Sequence, residues 1–176
     1  KKKNSSPLNQ INGIINCFQK SKGNIICLLD GDDFFKKTKL LEINKFFQNN
    51  KKSNCVFDFP KTDSTSFLFK KKSSKISIWP SIFPTSCISV RRKYSDKLLD
   101  KVIDDKFSDI WLDLIILLFS KYLDRYNVID ENLTFYRQFD GNISSKFKKF
   151  SKSWWRRRNL AHDYFLNFKI VNNLKI

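Results

Sequence analysis

An α/β fold with a mixed sheet flanked by helices is predicted by three observations on this 176-residue chain. A helix-period segment, an apolar strand, an acidic loop, a second helix-period segment and a second strand follow in that order, an alternation that marks α/β rather than all-β architecture. Hydrophobic residues make up 41% and aromatic residues 15%, with 18 Phe, enough for one domain with a real core. No internal repeat and no second apolar cluster divide the chain.

The elements are justified in order. Leu8, Ile11, Ile15 and Phe18 recur at helical spacing, and Gly23 closes the segment after Ser21-Lys22. Asn24 to Leu29 is a continuous apolar run, as expected of a strand covered on both faces. The acidic loop follows at its carboxyl end, where open α/β sheets bind ligands. Thr38 is placed to cap a helix to about Gln48 that offers Leu40, Leu41, Ile43, Phe46 and Phe47 for burial. Asn54 to Phe59 reads as a second strand ended by Pro60. The polar stretch from Lys61 to Lys75 is a loop with a short strand at Ser66 to Phe69, and Ile76 to Val90 a proline-shaped loop leading into a strand. Ser108 to Leu123 is the strongest helix, with Ser108 as cap and Asp109 in its first turn, suited to the helix dipole. Asn127 to Gln138 is extended, Asp140-Gly141-Asn142 turns, and Ser145 onward forms one or two helices.

Composition sets limits on function. The net charge is +17, but the Asn-, Ile- and Lys-rich composition also looks like AT-rich coding bias, which weakens any inference from that charge to nucleic acid. The longest apolar run, Leu114 to Phe119, is far short of the ~20 residues that span a bilayer. Cys17, Cys27, Cys55 and Cys87 form no C-x-x-C pair and have no His at metal spacing, so reduced, buried thiols in a cytoplasmic protein are expected. The lone His162 reads as structural. The start on Lys1-Lys2-Lys3 and the lack of any Met predict a piece of a longer protein.

Four constellations can carry chemistry. Asp30-Gly31-Asp32-Asp33 packs three carboxylates behind an apolar strand; two of them one residue apart can face Mg²⁺ or Mn²⁺ together with substrate phosphates, while Gly31 lets a nucleotide approach the backbone. The plain alternative is an Asp-Gly turn. Asp109 and Asp113, one helical turn apart, are each able to serve as a general base, or simply to place charge at a helix start. In Trp79-Pro80-Ser81-Ile82-Phe83-Pro84-Thr85-Ser86, Trp79 can stack on a sugar or base and Thr85 and Ser86 offer hydroxyls; an ordinary core Trp is the alternative. Lys146 to Arg158 interleaves Phe147, Phe150, Trp154 and Trp155 with seven basic residues and no acid, a pattern that suits an anionic membrane, a nucleic acid, or a core helix with a solvated face.

Taken in order, these segments resemble glycosyltransferase family 2, inverting enzymes of GT-A fold. Gly23-Asn24-Ile25-Ile26-Cys27-Leu28-Leu29-Asp30-Gly31-Asp32-Asp33 is similar to its G-x-x-I-x-x-L-D-x-D-D motif. Asn12-Gly13, Lys39-Leu40 and the Trp111/Asp113 region fall where the family has related residues. Leu133-Thr134-Phe135-Tyr136-Arg137-Gln138-Phe139-Asp140-Gly141-Asn142-Ile143-Ser144 looks like L-x-x-Y-R-x-H-x-x-N-x-S, with Phe139 in the His position. The resemblance implies a partial GT-A domain over 1–144 and a C-terminal basic-aromatic helical segment, 145–176, packed on it. It implies metal-dependent, inverting transfer of a sugar from a nucleotide-sugar donor to a glycan or lipid-linked acceptor, in glycan or polysaccharide biosynthesis. Asp30 and Asp32 would hold a divalent metal (Mg or Mn). Asp109 would be the base, with Asp113 competing, and Asp33, Trp79, Thr85, Ser86 and Arg137 would contact donor or acceptor. The expected location is cytoplasmic, peripheral at the inner membrane face, with no nucleic acid partner. The family's first nucleotide-binding strands would precede Leu8, so half a donor site and weak or no transferase activity are expected of this chain. A basic module for nucleic acid or membrane, or a non-catalytic remnant, are the alternatives.

Overall fold

The computed structural model describes residues 6–62, 82–94, 98, 107, 109–137 and 147–174. The elements are α1 (Ser6–Lys20), β1 (Ile25–Cys27), β2 (Phe34–Phe35), α2 (Lys39–Asn49), β3 (Cys55–Lys61), a 3₁₀ turn (Thr85–Cys87), β4 (Ile88–Arg91), α3 (Leu112–Leu123), β5 (Val128–Phe135) and α4 (Lys152–Val171). The strands form one mixed sheet in the order β1-β4-β3-β5-β2. Only β3 and β5 pair in parallel; the other neighbours are antiparallel. Side chains alternate across the central β3. Cys55, Phe57 and Phe59 join the larger core with α1, α3 and α4, and Val56 joins Ile43, Phe47 and Leu133 under α2. The sheet is thereby covered on both faces, and Ala161, Tyr164 and Phe168 of α4 belong to the larger core.

Several expectations change. β1 is half-buried at the edge of the sheet, pairing with β4 among the described strands; the Leu28 N–H still donates to the Ile88 carbonyl at 3.0 Å before the chain enters the acidic loop. Pro60 does not end β3: the register shifts on either side of Phe59, and at such an irregularity the missing proline N–H is tolerated. Thr38 has helical dihedrals and makes no side-chain cap; its carbonyl accepts from the Glu42 N–H at 3.0 Å. Leu40 and Leu41 are exposed, because α2 turns Lys39, Ile43 and Phe47, spaced by four, toward the sheet. α3 begins at Leu112 after extended Trp111, so Asp109 precedes the helix and Asp113 occupies its first turn. Cys17 is exposed, whereas Cys55 and Cys87 are buried and burial pushes the Cys55 thiol up to about 12. Ser108, the Ser66 to Phe69 strand and Trp79 lie outside the described residues.

Candidate donor and catalytic site

The acidic loop sits where β1 ends and is held by Ser86 at the foot of β4. The Asp30 N–H donates to Ser86 Oγ at 2.9 Å, and that hydroxyl donates to Asp33 Oδ2 at 2.6 Å. Asp33 Oδ1 accepts the Arg137 N–H at 2.9 Å, and the Asp33 N–H closes a turn onto the Asp30 carbonyl at 3.1 Å. Arg137 Nε also donates to the Asp32 carbonyl. Both Asp33 oxygens are therefore engaged within the protein, and the carboxylate secures the loop to the end of β5. Ser86 is fully buried and Thr85 nearly so. Arg137 is exposed, its guanidinium 6.0 Å from the Phe34 ring.

Beneath the loop lies a buried ionic network that the sequence reading did not single out. Lys39 has no exposed surface, and its Nζ donates to Asp58 Oδ1 at 2.7 Å, the Ser86 carbonyl at 2.6 Å and Thr134 Oγ1 at 2.6 Å. Thr134 Oγ1 donates to Asp58 Oδ2 at 2.7 Å, and the Phe35 ring covers the ammonium at 4.3 Å. Lys39 makes three hydrogen bonds, and Asp58 accepts from Lys39, Thr134 and the Leu133 backbone N–H, the condition under which a buried pair is tolerated. Ser86 thus links the two levels: its hydroxyl holds the acidic loop and its carbonyl receives Lys39. A signal was present in the sequence, since Asp58 interrupts the apolar run Cys55-Val56-Phe57-Asp58-Phe59 and needs a cation inside the core.

The remaining carboxylates are differently placed. Burial pushes the Asp30 carboxyl above its ordinary range; the Gln10 amide, donating to Oδ1 at 3.0 Å, opposes this, and Asp33 and Asp32 add to it by repulsion. Asp30 Oδ2 and the Asp32 carboxylate accept no hydrogen bond from the described residues. A Cβ built on Gly31 would meet no atom within 4 Å, so the loop faces open space. No group of three His, Cys, Asp or Glu converges among the described residues, so a cation here would have two carboxylates from the protein and would need phosphate oxygens or water to complete its shell. Asp113 is crowded by neighbours, and burial pushes it up to about 7 against the Leu114 N–H, which donates to Oδ1 at 2.8 Å, and against Arg157; Asp30 lies near enough to raise it further. The Arg157 guanidinium stacks 4.3 Å from the Trp111 ring and 4.5 Å from the Phe147 ring. Asp109 is exposed and lines an open cleft of about 610 Å³ with Lys152, Trp155, Arg156, Asn159, Leu160 and Asp163. The structure therefore brings Asp30, Asp32, Asp33, Ser86 and Arg137 together, sets Asp113 within electrostatic reach of Asp30, and turns Asp109 toward α4.

The family model described as Glycosyl transferase family 2 matches residues 2–170. The chain belongs to glycosyltransferase family 2. The sheet and helices form part of a GT-A fold. Among solved structures, the family 2 chain is similar to S. aureus TarS 1–349 in complex with UDP-GlcNAc, at 13% identity and a TM-score of 0.50. The match covers 74% of this chain and 39% of that one, so the chain spans well under half the length of that neighbour. No curated protein matches the family 2 chain.

Proposed function

We propose that this chain forms the diphosphate-binding and catalytic corner of a metal-dependent, inverting glycosyltransferase that uses a nucleotide-sugar donor. The observation that carries the reading is the pair Asp30 and Asp32 on a loop fixed from behind by Ser86 and open at Gly31: Asp30 spends one oxygen on the Gln10 amide, and its Oδ2 and the Asp32 carboxylate take no hydrogen bond from the described residues. A bound Mg²⁺ or Mn²⁺ would supply charge for the diphosphate leaving group. Asp33 and Ser86 hold the loop in place, and exposed Arg137 lies beside it as a phosphate partner. Asp113 takes the acceptor proton: its place near Asp30 and a carboxyl poised near neutral pH suit a general base. The cleft at Asp109 supports a second assignment, in which Asp109 is the base and the acceptor enters along α4. The UDP-GlcNAc bound by TarS makes UDP-sugars the first donors to try, with glycan or lipid-linked hydroxyls as acceptors.

Calorimetric titration of the chain with UDP-sugar and GDP-sugar, with and without Mn²⁺, tests the reading. Metal-dependent binding that is lost in Asp32→Ala is expected. Binding that is indifferent to Mn²⁺ and to Asp32→Ala would refute it. Comparing Asp113→Asn with Asp109→Asn, in a form of the protein that turns over, assigns the base: the correct one abolishes turnover and leaves donor binding intact.

A further inference from the structure

α4 carries large apolar side chains on two opposite sides, and the described residues cover only one; on the other they alternate with Lys152, Asn159 and Asp163. Ala161, Tyr164 and Phe168 enter the core. The helical period places Trp155, Leu166 and Ile170 on the other side, where they are 51%, 47% and 62% exposed. A soluble helix normally keeps that side polar. Just before the helix, Phe150 is 66% exposed and has φ 66°, a left-handed conformation that bulky side chains rarely adopt. Its ring does not reach the core but joins Trp154 at 5.3 Å and Trp155 at 6.5 Å, next to the cap that Ser151 makes with the Trp154 N–H at 3.2 Å. Between 147 and 174, Lys148, Lys149, Lys152, Arg156 and Arg158 are exposed, Arg157 is held against Trp111 and Phe147, and Asp163 is the one acidic residue. Strained backbone that displays an aromatic side chain to solvent, inside a basic segment, points to a binding surface.

We infer that the outer side of α4, led by Phe150 and Trp155, lies in the surface of an anionic lipid bilayer. The charge pattern matches acidic headgroups, and rings beside cations suit the interfacial zone, where an aromatic body sits below its polar surroundings. No helix of the described residues is long and apolar enough to cross a membrane. Single-stranded nucleic acid would also accept cations and stacked rings. It leaves Leu166 and Ile170 without a counterpart, whereas acyl chains supply one. The cleft beside Asp109 shares Trp155 with this face and would open at the bilayer. The inference does not depend on nucleotide binding by the acidic loop.

Vesicle co-sedimentation and tryptophan emission test it, using phosphatidylcholine vesicles with and without phosphatidylserine at low and high salt. Binding that requires phosphatidylserine, a blue-shifted emission and loss at high salt are expected. The double change Phe150→Ser/Trp155→Ser and the triple change Lys148→Gln/Lys149→Gln/Lys152→Gln should each weaken partitioning by about tenfold or more. These positions are exposed, and the melting temperature checks that both variants remain folded. No binding to phosphatidylserine vesicles, or binding unaffected by the aromatic changes in folded protein, overturns the inference. So does single-stranded RNA that binds more tightly than the vesicles and prevents their binding.

Discussion

Replacing Lys39 by Met should be among the most damaging single changes in the described chain. The ammonium is fully buried and donates to Asp58, the Ser86 carbonyl and Thr134, all within 2.7 Å. Met fills similar volume but leaves Asp58 with the Thr134 hydroxyl and the Leu133 backbone N–H and no cation to balance its charge. Breaking one side of a buried ion pair costs about 3–5 kcal/mol, a large part of the roughly 5–15 kcal/mol that holds a domain folded. At roughly 2–4 °C per kcal/mol for a chain of this size, the melting temperature should fall by about 6–20 °C. The deficit should also depend on pH. Without Lys39, the folded Asp58 carboxyl rises further above its unfolded value of about 4. The protonated form then folds without penalty at low pH, and stability is lost as pH rises through the raised folded value. Urea unfolding followed by circular dichroism at acid and neutral pH measures both effects. The double change Lys39→Met/Asp58→Leu should recover most of the loss, because an apolar pair replaces an unpaired charge. A deficit below about 1 kcal/mol at neutral pH, or one equal at both pH values, would refute the reasoning.

Asp113, with its carboxyl pushed up to about 7, favours its protonated form in the folded chain. Its contribution to stability is complete below the unfolded value of about 4 and is lost as pH rises through about 7. Asp113→Asn should therefore gain stability over the parent at pH 8 but not at pH 4, which paired unfolding curves will show. If Asp113 is the base, turnover in the parent rises through the same pH region and vanishes in the variant. Ser86→Ala removes the acceptor of the Asp30 N–H and the donor to Asp33; it should cost about 1–3 kcal/mol in urea unfolding and weaken Mn²⁺-dependent donor binding. Gly31→Val points a side chain into open space and should leave the melting temperature within a few degrees of the parent, while blocking donor binding in the same titration. Equal donor affinity in Gly31→Val would show that ligand does not approach the loop there.

The order of elements and the chemistry of the acidic loop were legible along the chain, because both depend on local pattern. Apolar residues at helical spacing mark α1, Asn54 to Phe59 marks most of β3, and Asp30-Gly31-Asp32-Asp33 concentrates acid at a strand end whatever surrounds it. The functions of individual side chains were less legible, because they depend on partners distant in sequence. Ser86 offers a hydroxyl in the sequence, but Asp30 and Asp33, more than fifty positions away, make it the support of the loop. Leu40 and Leu41 read as buried positions of the second helix, and Lys39 stands out only by its likeness to the family. The rotation of α2 against the sheet exposes both leucines and buries Lys39, whose ammonium meets Asp58 and Thr134. Asp109 and Asp113 are equivalent candidates by spacing, and the start of α3 between them separates an exposed carboxylate from a crowded one. The sequence by itself determined the α/β class, the acidic loop and the family; tertiary structure alone decided which charges are buried, because desolvation belongs to a residue's surroundings and not to its identity.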